Sequence, residues 1–102
     1  MYDMKNLAAL KELETHAPEA TNAFWAFDKA AWADGAIPKK YKELMAIAVA
    51  LTIQCPYCIE LHTNRAREAG ATDPEIAETV LAAAALRAGG AVTHGTHAMK
   101  AR

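Results

Sequence analysis

Pro18, Pro38, Pro56 and Pro74 are the four prolines of this chain, and each heads a stretch with helical character. That spacing constrains the fold more than any other feature. Proline fixes φ near the helical value and lacks the N–H that a first helical residue leaves unbonded anyway, so it is favoured at helix starts and excluded from helix interiors. Alternation of apolar and polar residues, the mark of a half-buried strand, is absent. The chain reads as all-α, with about six helices in a single domain covering residues 1–102.

Leu7, Leu10 and Leu13 with Ala8 mark a short amphipathic helix from about residue 5 to 16. Pro18 opens a second helix, expected to run to Asp34-Gly35, with Phe24, Phe27 and Ala31 on one face and Trp25 and Trp32 sharing a face for core or subunit contact. The third begins at Pro38 and carries Leu44 through Leu51 and Ile53, apolar around its circumference, which predicts a buried central helix. A fourth runs from Pro56 to Ala69 and stops at Gly70, a left-handed cap. Thr72-Asp73-Pro74-Glu75 has capping-box spacing and opens a fifth, which Gly89-Gly90 is expected to end. A sixth over residues 91–101 contains Thr93, Gly95 and Thr96, poor helix formers that need tertiary or subunit support. The small and aliphatic residues of helices three and five leave apolar surface for another copy of the chain.

With 53% apolar and 23% charged residues, the 102-residue chain can bury one core and reads as one soluble domain. Its net charge of −1, without a basic stripe, argues against nucleic acid and anionic membrane as partners. No stretch is expected to reach the ~18 apolar residues of a spanning helix. The start, Met1-Tyr2-Asp3-Met4-Lys5, lacks the pattern of a secretory signal. These features predict a cytoplasmic protein, in which a Cys-x-x-Cys pair is catalytic or metal-binding rather than a structural staple.

The two cysteines of the chain stand in Cys55-Pro56-Tyr57-Cys58, with His62 one helical turn further on. At 100° per residue, Cys58 lies about −60° and His62 about −20° from Cys55, so all three share one narrow helix face. A helix N-terminus stabilises thiolate, and an imidazole four residues beyond Cys58 can take its proton directly or through a water. Helix-terminus reasoning favours Cys55 as the low-pKa thiol, whereas the His62 position favours Cys58. Glu43 opens the long apolar run. Beside Lys42 near a helix start it reads as a solvated carboxylate; brought to His62 instead, it would fix the tautomer and stabilise the imidazolium. A competing reading takes Cys55, Cys58 and His62 as zinc ligands completed by His94 or His97, giving a non-enzymatic, zinc-stabilised oligomerisation module. Otherwise His94 and His97 read as surface or interface residues.

Glu43, eleven residues, Cys55-x-x-Cys58, three residues and His62 form a core motif over residues 43–62. It resembles the AhpD-like alkylhydroperoxidase branch of the carboxymuconolactone decarboxylase-like family, a likeness that covers residues 20–100. The resemblance implies a helical domain that forms trimers or hexamers and reduces hydroperoxides without metal, flavin or other cofactor. Cys58 would be the attacking thiolate, Cys55 the resolving thiol, His62 the base and Glu43 its orienting carboxylate. Electrons would come from a dithiol reductant, by analogy a lipoylated protein. The alternative within the same chemistry is a general dithiol-disulfide oxidoreductase that meets no peroxide. Tyr57 stands where a better-known enzyme of this type has a histidine; it would either hydrogen-bond a peroxide in the pocket or pack as a lid over the disulfide. The decarboxylase activity does not follow from the likeness, because Arg65, Arg67 and Arg87 read as solvated residues rather than a dicarboxylate site.

Overall fold

The computed structural model describes residues 2–102, and Met1 lies outside them. Five α-helices follow a 3-10 helix, and there is no strand among the described residues. The 3-10 helix, Met4–Leu10, starts where the Asp3 carboxylate accepts from the Lys5 N–H at 2.9 Å and continues into α1, Lys11–His16. The segment expected as one amphipathic helix is thus helical in two pitches. None of its residues is buried, so no packing face holds it to the α-helical repeat.

Ala17 takes an extended φ of −144° ahead of Pro18, and α2 spans Pro18–Trp32. It stops two residues short of the expected end because Asp34 serves the next helix instead: its Oδ1 accepts from the Lys39 N–H at 2.6 Å. That helix, α3, spans Lys39–Ile53. Gln54 closes it in the left-handed region, φ 55°, and the Cys55 N–H returns to the Ala50 carbonyl at 3.1 Å. A non-glycine residue held there costs about 1 kcal/mol, and it turns the chain so that Cys55 becomes the N-cap of α4, Pro56–Glu68. Gly70, at φ 97°, ends α4 as expected. Thr72 and Glu75 form the expected capping box at the start of α5.

Helix α5 runs without a break over Asp73–Lys100, so the two helices expected on either side of Gly89-Gly90 are one. Neither glycine has a positive φ. Alanines on both sides favour the helix, and the Thr93 hydroxyl bonds back to the Gly89 and Gly90 carbonyls at 3.0 and 3.2 Å. The uninterrupted helix also overturns the expectation that no segment is long and apolar enough to span a membrane. By length and composition α5 is.

The core is small. Ile47 of α3, Ala66 of α4 and Ala71 of the following turn are buried, with Leu44, Leu51 and Ile76 packed against them. Contrary to the expectation of burial on all sides, α3 buries only Glu43, Ala46, Ile47 and Ala50, while Val49 and Ile53 are 56% and 65% exposed. No residue of α5 is buried. The radius of gyration is 17.2 Å, against about 13 Å for a compact chain of this length; a helix of 28 residues, about 42 Å long, accounts for the excess.

Candidate active site

Packing α4 on α3 brings His62 against Glu43 in a buried polar contact. Glu43 is fully buried and His62 is 8% exposed. His62 Nδ1 lies 2.6 Å from Glu43 Oε2. With the carboxyl ionised, the His62 Nδ1–H donates to it and the lone pair of a neutral ring lies on Nε2. Of the two alternatives open for Glu43, the structure has the buried one.

The other carboxylate oxygen is also engaged: Lys39 Nζ stands 3.2 Å from Oε1. The same ammonium reaches the Trp32 carbonyl at 3.5 Å. The Trp32 ring in turn packs on the His62 imidazole, with centroids 4.8 Å apart and planes tilted by 52°. Its indole N–H donates to Asp28 Oδ1 at 2.9 Å. Trp32, read from sequence as a core or subunit residue, therefore belongs to the surroundings of the imidazole. Lys39 belongs to no motif in the sequence, and only its i−4 position relative to Glu43, the spacing of a helical ion pair, points to it.

Cys55 and Cys58 are joined as a disulfide, with Cα atoms 5.3 Å apart. Their surroundings differ. Cys55 Sγ accepts from the Cys58 N–H at 3.3 Å, the N-cap position of α4. Cys58 instead lines a cavity of about 420 Å³ together with His62, Trp32, Met45, Val49 and Ile53, and Cys55 is not part of that lining. Apart from the sulfur, the imidazole and the indole, the walls are hydrocarbon and thioether.

Tyr57 is also absent from the cavity lining. Its ring meets Tyr2 edge-to-face at 5.0 Å and its hydroxyl accepts from Asn6 Nδ2 at 3.0 Å, so it faces the N-terminal segment. His94 and His97 are exposed on α5, where their rings pack on each other. Among the described residues no three His, Cys, Asp or Glu side chains converge as a metal site, so the ligand set of the zinc reading does not assemble.

A helical domain with a disulfide at one helix start, backed by a buried histidine-carboxylate pair, is the class that fold and site define. Residues 18–101 match the model of the carboxymuconolactone decarboxylase family, and the chain belongs to that family. It is 44% identical over 95 residues to uncharacterized protein 4 in the cox locus of Paracoccus denitrificans, covering 93% of this chain and 86% of the relative. It is 39% identical over 67 residues to an alkyl hydroperoxide reductase of Mycobacterium tuberculosis, which is 66% of this chain and 19% of that much longer protein. Among solved structures, a carboxymuconolactone decarboxylase family protein of Legionella pneumophila superposes with a TM-score of 0.75 at 36% identity, over 81% of this chain and 75% of that one. A protein of Methanobacterium thermoautotrophicum gives 0.78 at 30% identity, over 84% and 97%. The AhpD-like, all-helical reading stands on these likenesses.

Proposed function

We propose that the protein is a thiol-dependent hydroperoxide reductase acting on alkyl hydroperoxides. The observation that carries this reading is the 2.6 Å contact between buried Glu43 and His62, on the cavity that Cys58 lines. His62 Nε2 takes the Cys58 thiol proton, and Glu43 holds the resulting imidazolium. The thiolate attacks the outer peroxide oxygen; the O–O bond breaks, Cys58 becomes a sulfenic acid, and the leaving alkoxide takes the proton from His62 as an alcohol. Cys55 then attacks the Cys58 sulfur, releasing water and forming the disulfide. A dithiol reductant, such as a lipoyl group on a partner protein, restores both thiols by exchange at Cys55. The hydrocarbon walls favour an alkyl peroxide over a small polar one. The apolar faces of α3 and α5 suit a homo-oligomer.

A second reading, dithiol-disulfide exchange without peroxide, draws on the Cys58 N–H at Cys55 Sγ, which favours a thiolate at Cys55. Stopped-flow mixing of the reduced protein with an alkyl hydroperoxide separates the two. Consumption of one peroxide per disulfide formed is expected; a reduced protein that leaves the peroxide intact yet reduces a model disulfide overturns the first reading in favour of the second.

A further inference from the structure

We propose that Lys39 is a positioning residue of this site, its ammonium held between the Glu43 carboxylate and the Trp32 carbonyl so as to keep Glu43 anionic and to set the pH at which His62 releases its proton. The inference rests on the reading of His62 as the base for Cys58. Glu43 is wholly shut off from water, and its two oxygens have different partners: Oε2 meets the imidazole at 2.6 Å and Oε1 meets Lys39 Nζ at 3.2 Å. A buried carboxylate keeps its charge only if that charge is matched nearby. Neutral His62 offers an N–H but no charge. In the state competent to take a proton from Cys58, Lys39 is therefore the matching cation.

The lysines at the head of α3 are not equivalent. Lys40 pairs with Glu75 of α5 at 2.9 Å, and Lys42 donates to the Ala33 carbonyl at 2.6 Å. Only Lys39 among them reaches the buried carboxylate, while its own side chain remains 43% exposed. The other titratable groups about the imidazole are Cys58 on its own helix and, behind the Trp32 indole, Asp28 of α2. From α5, Glu75 meets the head of α3, already paired with Lys40, and Arg87 lines a cavity with Ala48, Val49 and Thr52 further along that helix.

The sign of the effect follows. With the ammonium removed, the carboxylate is matched only by an imidazolium, so His62 holds its proton to higher pH and takes it more readily from the Cys58 thiol. That change moves the acid limb of Cys58 reactivity downward.

The experiment is the pH profile of iodoacetamide alkylation of reduced Cys58 in a Cys55→Ser background, which reads thiolate formation and needs no peroxide. Lys39→Met is expected to move the acid-limb midpoint down by about one pH unit, and Lys39→Arg to restore it. Lys39→Gln keeps an N–H donor without charge and is expected to shift the midpoint as Met does. A second effect follows from the shared carboxylate: in Glu43→Gln protein, Lys39→Met should add no further shift. A profile that falls in height with an unmoved midpoint in both Lys39→Met and Lys39→Gln overturns the proposal and leaves Lys39 a structural residue. A His62→Asn profile that keeps the parental midpoint overturns the base assignment itself, a failure distinct from that of Lys39. Neither outcome bears on whether the thiols meet a peroxide, which the stopped-flow experiment decides.

Discussion

Glu43 and His62, nineteen residues apart in the chain, meet at 2.6 Å with the carboxylate entirely out of solvent. A contact this short between a carboxylate and a ring nitrogen is charge-assisted whenever the ring is protonated. Removing the carboxylate charge while keeping its shape is the direct probe. Glu43→Gln is expected to slow peroxide consumption by roughly 10²-fold in stopped-flow assays, while the Cys55–Cys58 disulfide still forms under a chemical oxidant. A rate within twofold of the parent protein would remove Glu43 from the mechanism.

The unequal surroundings of the two sulfurs give separable phenotypes. Cys55→Ser treated with alkyl hydroperoxide should gain one oxygen at Cys58, seen by mass spectrometry and trapped by dimedone. Cys58→Ser should consume no peroxide, while its Cys55 still exchanges with a model disulfide. The reverse pattern would exchange the two roles.

Lys40 and Glu75 tie α3 to α5 at 2.9 Å. The hydrogen bond from Lys40, helped by the Thr72 backbone N–H, holds the Glu75 carboxyl below its ordinary range, and the same bond raises Lys40 above its own. A carboxyl depressed on folding contributes stability that is complete above the unfolded value, near pH 4.5, and lost as pH falls through the lower folded value. Thermal melts between pH 5.5 and 3 should therefore fall less steeply for Glu75→Gln than for the parent, with the variant already less stable at pH 6. Parallel curves would show that the pair carries no pH-linked stability.

Exposed apolar side chains on α3 and α5, Val49 and Ile53 on one and Leu81, Leu86 and Val92 on the other, predict association of copies. Light scattering is expected to give a multiple of 11.0 kDa, and Leu86→Glu to shift it toward the monomer. Leu86 is 79% exposed in the single chain, so the substitution should cost that chain no more than about 0.5 kcal/mol. A monomeric parent protein would count against oligomer formation.

Gly89 and Gly90 lie inside α5 with open space where a Cβ would point. Alanine at either position is expected to stabilise the chain by about 1 kcal/mol, read as a higher melting temperature. Gly70→Ala should do the opposite, since Gly70 sits at φ 97° where a side chain is strained.

The helix starts were legible because their signals are local: proline at the first or second helical position of α2, α4 and α5, and the Thr72-Glu75 box. Local signals failed where two of them compete. Gly89-Gly90 is a permissible stop, but the alanine-rich flanks keep the helix going. The site divides in the same way. The Cys-x-x-Cys and His62 spacing is written along one helix, and Glu43 entered through a family pattern. Trp32 and Asp28 come from α2, and only tertiary packing places that helix end on the imidazole. Gln54 left no mark in the sequence, because a left-handed turn is usually given to glycine or asparagine.

The seat of the Trp32 indole on His62 gives the protein a built-in optical gauge of charge in its own pocket. A protonated imidazole against an indole face quenches its emission, whereas a neutral ring does so far less. With Trp25→Phe leaving Trp32 the single tryptophan, its emission in the reduced protein would follow the charge on the imidazole without any added label.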